Sequence, residues 1–483
     1  MQESVIVLCR ERSSAWLIAR LLRWRQVCTL SLPFDTSLET LMALQPKGII
    51  LSAPLSEPGA MDGLDSRILD SGLPVLALGG VAAALCVMNG GQVAPAIHST
   101  TPFNLTLAEH PLFQEMDATG CMLRSLAPLN PSDSMTAIAA AGEDVIGFAL
   151  KDKPVFGLEY PIERNDPDAA QILTNFAYAV CKCRADWNED TMIDQAIAAI
   201  RDGIPADGQV LCAVSGGVDS AVCAKLASMA LGERLNCLFV DTGLFRQGEP
   251  QHVISEYKET LGITVDYINA RDRFMQALDG LTDPDAKEST ASALMRRILT
   301  EHLASHPELS GLVMGTNYND VLYNGADSSR MELNPAIAIL EPIQMLFKDE
   351  VRRLAGALGL PASISGRQSF PSSGLALRIY GTVTDHRLNL LRAADACLME
   401  EIQEAGLDKK LWQYYATLIQ SPDIPDMYTV CLRCIQTSQS RGLAARLPFD
   451  LMERTTTRIL TEVPGVSRVV YDLTPSKQYG LLE

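Results

Sequence analysis

The chain has 483 residues, too many for one domain and about right for roughly three. Its 40 Lys and Arg against 58 Asp and Glu leave a formal charge of −18, and so acidic a surface excludes a general binder of nucleic acid or of anionic membranes. With 47% hydrophobic and 20% charged residues the chain can fill large cores, which excludes disorder of the whole. The twelve cysteines are scattered along the chain, as suits free thiols in a reducing cytosol better than a disulfide framework. No signal peptide is read, because Val5–Leu8 is too short and Arg10-Glu11-Arg12 follows at once. The apolar stretch Leu73–Met88 has 16 residues and is interrupted by Gly79-Gly80, whereas a bilayer span takes about 20. A soluble, cytoplasmic protein is expected.

In chain order, Ser4–Leu8, Gly48–Leu51, Val75–Leu78 and Val155–Leu158 read as buried strands, with helical periodicity in segments such as Ala15–Trp24. That alternation predicts an open, largely parallel sheet covered by helices. A helix near Thr191–Arg201 and the loop Asp202–Gly208 lead into a second series of strands, at Val210–Val214, Leu238–Val240, Val265–Ile268 and Leu312–Met314. Beyond roughly Leu360 the composition changes. There a Gly/Ser/Pro loop, Ser363–Gly374, precedes a helix and then strands at Tyr428–Leu432 and Arg468–Tyr471. No internal repeat or low-complexity run is present.

The sharpest local signal is Ser215-Gly216-Gly217-Val218-Asp219-Ser220, which follows the apolar strand Gln209–Val214 and precedes a helix over Ala221–Leu231. Two glycines between strand and helix let backbone amides turn toward an anion, and the helix N-terminus adds a favourable partial charge. It is not a Walker A loop, since no Gly-Lys-Ser/Thr follows. The loop resembles that of the ATP pyrophosphatases, which split ATP into AMP and pyrophosphate. In that setting Asp219 stands where a Mg²⁺ on the pyrophosphate needs a carboxylate.

The resemblance then narrows to the GMP synthetase family. It is carried by Phe239-Val240-Asp241-Thr242-Gly243-Leu244-Phe245-Arg246, Asp272-Arg273-Phe274, Asp283-Pro284-Asp285-Ala286-Lys287, Gly315-Thr316, Tyr318, Asp320-Val321, Glu341-Pro342 and Leu346-Phe347-Lys348-Asp349-Glu350-Val351-Arg352. Leu447-Pro448-Phe449-Asp450 and Gly465-Val466-Ser467-Arg468-Val469-Val470-Tyr471-Asp472 match the family's dimerisation domain. The resemblance implies an α/β chain of three parts. Residues 1–186 would be a degenerate class I glutamine amidotransferase-like domain. Residues 187–365 would be a PP-loop ATP pyrophosphatase domain of adenine nucleotide alpha-hydrolase type, and 366–483 an α+β C-terminal dimerisation domain.

It also implies the chemistry. ATP adenylates the 2-oxo oxygen of xanthosine monophosphate, and ammonia displaces AMP to give GMP. Ser215, Gly216, Gly217, Val218, Asp219 and Ser220 would hold pyrophosphate, with Ser215, Asp219 and Ser220 catalytic, Asp219 on Mg²⁺, and Val240 and Gly315 flanking adenine. Arg246, Asp320, Ser372, Ser373, Lys477 and Glu483 would meet the nucleotide substrate, cationic side chains offsetting phosphate charge. Lys348 reads equally as a ligand or as a surface lysine of its amphipathic helix.

The first domain resembles the fused amidotransferase through Gly48-Ile49-Ile50-Leu51-Ser52, Leu73-Pro74-Val75-Leu76-Ala77-Leu78, Val155-Phe156-Gly157-Leu158 and Glu163. Such enzymes need a cysteine nucleophile on a tight strand-to-helix turn, a histidine base and an orienting glutamate. Here the nucleophile position is Gly79, the His-Pro-Glu position reads Pro161-Ile162-Glu163, and the oxyanion-side Gly-Gly-Pro reads Ala53-Pro54-Leu55. Glycine cannot attack and proline cannot take a proton. Cys86 is read as a core thiol two turns into the next helix, and His306-Pro307-Glu308 as a coincidence in a loop. A scaffold without glutaminase activity is expected.

The synthetase half departs from the family too. Leu322–Leu340 is short and lacks His and Lys, Ala291-Ser292-Ala293 replaces an Ile-Gly-Arg, and the phosphate-side loop reads Ser369-Phe370-Pro371-Ser372-Ser373-Gly374-Leu375-Ala376-Leu377-Arg378. These changes predict a specialised paralogue with free ammonia, an amine, or a donor protein as nitrogen source. Cys431-Leu432-Arg433-Cys434 is read as two core thiols on opposite strand faces, with a sulfur relay as the alternative. A nucleotide-binding regulatory pseudoenzyme is the non-enzymatic alternative. A homodimer through the last third is implied by the family, with neither nucleic acid nor membrane as partner.

Overall fold

The computed structural model describes residues 3–54, 59–98, 105–116, 125–160, 167–324, 334–368, 370, 373–421, 424, 426–438 and 441–474. Its backbone divides into two compact units, Met1–Thr191 and Met192–Glu483. The division falls inside the helix Glu189–Asp202.

In the first unit five parallel strands stand in the order Cys28–Leu32, Ser4–Cys9, Gly48–Ala53, Val75–Gly79, Val155–Leu158. Val5, Ile6, Val7 and Leu8 are fully buried, as a continuous apolar run must be when helices cover both faces of a parallel sheet. The sheet is then extended antiparallel by Asp144–Leu150, Met135–Ala141 and Leu105–Leu107. A hairpin joins the first two of these, with Gly142 at φ +65 in its turn. The expectation of a largely parallel sheet is therefore corrected on this side. The runs MTAIAAA and DVIGFAL are small-residue segments with little alternation, and a local pattern does not reveal them. Arg12–Trp24 buries Ile18, Ala19 and Leu22 with helical spacing.

The second unit holds a five-stranded, wholly parallel sheet ordered Val265–Asn269, Leu235–Asp241, Gln209–Val214, Leu309–Val313, Ala338–Leu340. A second sheet contains Ile379–Tyr380, Gln413–Gln420, Tyr428–Ser438 and Arg441–Ala444, with Val466–Tyr471 also paired to Tyr428–Ser438. The helices Asp385–Glu404 and Phe449–Glu462 bury Leu391, Ala394, Leu451 and Ile459. One continuous hydrophobic cluster joins Leu211, Leu238 and Phe274 to Leu391, Ala416 and Val430. Overlapping the start of the segment expected as the loop Ser363–Gly374, residues Ala362–Ser365 form a short helix after Pro361. Among the described residues no helix is long and apolar enough to cross a membrane.

Candidate active site

Strand Gln209–Val214 is the centre of its sheet. The chain runs from it to Leu235–Asp241 and Val265–Asn269 on one side, then crosses to Leu309–Val313 on the other. Ligands of open α/β sheets bind at such a switch point, beyond the carboxyl ends of the strands. Loop 215–220 lies there.

The loop is built to expose amides. Gly216 has φ +79, and a Cβ on it would lie 2.4 Å from Val253 Cγ2 and 2.7 Å from Arg367 Nη1, so only glycine fits. Arg367 fastens the turn by donating from Nη1 to Gly216 O at 2.7 Å. Gly217 is the N-cap of helix Val218–Leu231 and offers no side-chain cap, so the amides of the first turn face an incoming anion with the helix dipole behind them. The hydroxyls expected to be catalytic are used inside the loop. Ser220 Oγ donates to Gly217 O at 3.0 Å and accepts from Ser215 N at 3.2 Å, while Ser215 Oγ accepts from Gly217 N at 3.4 Å.

Asp219 sits in the first turn of that helix. Its Oδ2 is paired with Lys348 Nζ, and its Oδ1 is buried with no hydrogen-bond partner. The lysine that the sequence left undecided is thereby brought to the centre of the loop, from the start of helix Lys348–Ala357. Gly315 fits closely here, since a Cβ on it would be 3.3 Å from Asp219 Cβ and Ser220 N. Asp320 lies near: burial raises its pKa, Asn317 N–H lowers it, and the charges of Asp219 and Glu341 raise it further. Its Oδ2 accepts from Asn317 N at 2.9 Å. Glu341 in turn accepts from Thr316 Oγ1 at 2.6 Å and Gln344 Nε2 at 2.9 Å. Val240, expected beside adenine, is buried near the carboxyl end of Leu235–Asp241.

Beyond that strand end a cavity of about 480 Å³ is lined by Asp241, Gly243, Arg246, Arg271 and Arg392, among others. Arg246 donates from Nε to the buried Asp395 Oδ2 at 2.7 Å and stacks on Phe370, its carbon 5.1 Å from the ring centre. Its Nη2 is buried and bare. Arg392 is aimed by donating to Phe245 O at 2.9 Å and Gly243 O at 2.5 Å, and Arg271 pairs with Asp385 at 2.6 Å. Three guanidinium groups, two of them ion-paired, thus line one cavity together with the carboxylate of Asp241, on a chain of net charge −18. The sequence singled out only Arg246. Arg271 and Arg392 begin or sit on distant helices, and no local pattern marks them. Ser373 is fully buried, and its hydroxyl has no partner. Ser372, Lys477 and Glu483 lie outside the described residues, as do Leu55, residues 161–163 and residues 325–333 of the short lid.

In the first unit Gly79 ends strand Val75–Gly79 at φ 58, ψ −130 and opens helix Gly80–Met88. A tight strand-to-helix turn at positive φ is the backbone geometry of a nucleophile elbow. The apex here has no side chain. Cys86 is fully buried and its pKa is raised by burial, in keeping with a core thiol. Of the remaining thiols, Cys434 is fully buried and pushed up to about 12, and Cys431 is half-buried and also raised by burial. Neither has the lowered pKa of a reactive sulfur. Among the described residues no cluster of three metal-ligating side chains occurs.

A parallel sheet in this order, with a glycine loop and an acidic first turn at its switch point, defines an ATP pyrophosphatase of the PP-loop type. Residues 193–421 match the family described as NAD synthase, and residues 400–483 match the GMP synthase C terminal domain. The chain is 34% identical, over an alignment of 524 residues, to GMP synthase [glutamine-hydrolyzing] of Parasynechococcus marenigrum, covering 100% of this chain and 98% of that protein. The enzyme of the same description from Symbiobacterium thermophilum is 34% identical over 503 residues, covering 97% and 96%. That of Syntrophomonas wolfei is 33% identical over 510 residues, covering 100% and 99%. The chain belongs to the GMP synthase family.

Proposed function

We propose that the protein is an AMP-forming carbon–nitrogen ligase that acts on xanthosine monophosphate or a close purine-nucleotide analogue, draws on free ammonia or an amine, and does not hydrolyse glutamine. The observation that carries the reading is the pairing of a complete phosphate loop, bare Asp219 Oδ1 included, with an elbow whose apex is Gly79.

The loop amides and the helix N-terminus would take the β- and γ-phosphates of ATP. The carbonyl oxygen of the acceptor attacks the α-phosphorus, and the bond to pyrophosphate breaks with its electron pair leaving on pyrophosphate. The nitrogen nucleophile then adds to the activated carbon, loses a proton, and expels AMP together with the original oxygen. Lys348 offsets the negative charge beside the loop, and Arg246, Arg271 and Arg392 would receive the acceptor's phosphate. Mg²⁺ fits the donor set, because a single carboxylate oxygen plus substrate phosphates is an ordinary Mg²⁺ environment and Asp219 Oδ1 lacks a partner. It would supply charge neutralisation of the departing pyrophosphate.

Turnover of ATP to AMP by the full chain, with Mg²⁺ and xanthosine monophosphate, tests this. Ammonium should give AMP and an aminated nucleotide by mass spectrometry, and glutamine should give neither above background. Equal product from glutamine would refute the loss of glutaminase. ATP binding without AMP would move the acceptor to another purine-like carbonyl compound.

A further inference from the structure

One arginine touches both the phosphate loop and the segment that carries Arg246. Arg367 follows the short helix Ala362–Ser365, and its side chain is 18% exposed. Its Nη1 donates to Gly216 O at 2.7 Å, and its Nη2 stands 3.6 Å from Glu249 Oε1. Glu249 opens helix Glu249–Glu256, and its other oxygen, Oε2, accepts from Arg246 N at 3.0 Å. The backbone of Arg367 is tied too. Its carbonyl oxygen accepts from Arg352 Nη2 at 3.4 Å, on the helix whose first residue is Lys348. Three residues further along stands Phe370, on whose ring both Arg246 and Arg378 stack.

Each tether acts at one end. A trans peptide group is planar, so fixing the Gly216 carbonyl turns the Gly217 N–H the opposite way. That amide points back over the loop, 3.4 Å from Ser215 Oγ. At the other end the Glu249 carboxylate closes the turn before its helix and sets the backbone from which Arg246 extends. The guanidinium is a rigid fork with donors on separate nitrogens, so one side chain serves both ends at once. Lysine, a point donor on a flexible stem, cannot hold both in a fixed geometry.

We propose that Arg367 is a positioning residue that couples the two sites: with Glu249 it ties the phosphate loop to Arg246, so that filling either site tightens the other. The bridge holds the loop amide and the Arg246 backbone in one arrangement, and the first ligand orders that arrangement for the second. The inference rests on the reading of the Arg246 cavity as the acceptor site.

The test is calorimetric titration of the full chain with xanthosine monophosphate, with and without saturating Mg²⁺ and α,β-methylene-ATP, which resists cleavage between its α- and β-phosphates. In the parent the analogue should tighten xanthosine monophosphate by about fivefold or more, and the reverse titration should give the same factor. Arg367→Lys and Glu249→Gln should each bring that factor close to one, while melting shows both variants folded. A merely structural arginine would lower the melting temperature or weaken both ligands and leave the factor unchanged. A factor near one in the parent, or the parent's factor kept by either variant, would overturn the coupling alone. Xanthosine monophosphate failing to bind the parent under both conditions would overturn the acceptor reading and this inference with it.

Discussion

Two strand-to-helix turns in this chain invite comparison. Each follows a parallel strand of its own sheet, after Val214 in one unit and at Gly79 in the other, and each opens a helix without a side-chain cap. The first carries charged side chains, with Asp219 and Lys348 paired at the loop. The second keeps only its backbone. Gly80 shows why the shape persists, since a Cβ there would lie 2.3 Å from Pro54 O and the turn is fixed by close packing rather than by function.

The largest effect should come from Asp219→Ala, which removes the only acidic group of the loop. AMP formation should drop on the order of 10²–10³-fold in kcat/KM, as for the loss of one preorganised electrostatic group. A smaller drop would break the contrast by making the first turn as inert as the second. Gly216→Ala places a Cβ at φ +79 and 2.4 Å from Val253 Cγ2, and a loss of about 3 kcal/mol of stability in urea unfolding is expected. Glu159→Gln should act in the opposite direction and depend on pH. A carboxyl raised from 4.5 to about 7 stabilises the fold fully below pH 4.5 and loses that contribution as pH rises through 7. The variant should therefore be more stable than the parent by about 3 kcal/mol at pH 8 and no different at pH 4 by thermal melting. Smallest of all, Gly79→Cys alone should leave glutamine hydrolysis at background in an ammonia-release assay. A thiol without a histidine base is not an activated nucleophile, and recovered hydrolysis would show that a base survives nearby.

The phosphate loop was legible because its signal is contiguous: an apolar strand over Gln209–Val214 with these same bounds, two glycines, an acid and a helix. The buried parallel strands were legible for the same reason, as continuous apolar runs. The hairpin of Met135–Ala141 and Asp144–Leu150 was not, because its alanines and glycine acquire a strand identity only from the neighbours they pair with. Arg271, Arg392 and Glu159 were hidden more deeply. Arg271 and Arg392 share one cavity wall in the second unit and Glu159 is buried in the first, and in neither case does a common spacing in the chain mark the residues that meet. Lys348 stands between the two cases. The sequence offered it as a candidate, and only the fold brought it to Asp219.

The sulfur atoms give the chain a built-in clock. Nine of the eleven described cysteines are buried, and none is in a disulfide. Cys212 and Cys237 face each other across the strands that lead to the phosphate loop, and hydrogen bonding between them with burial raises the pKa of Cys212 far above that of a free thiol. An external thiol reagent can reach such a pair only when the sheet opens, so its labelling rate reports the opening rate of the ATP-binding unit. Cys181 and Cys183 keep the same time for the first unit, and mass-resolved labelling of the native chain would read both clocks in one experiment.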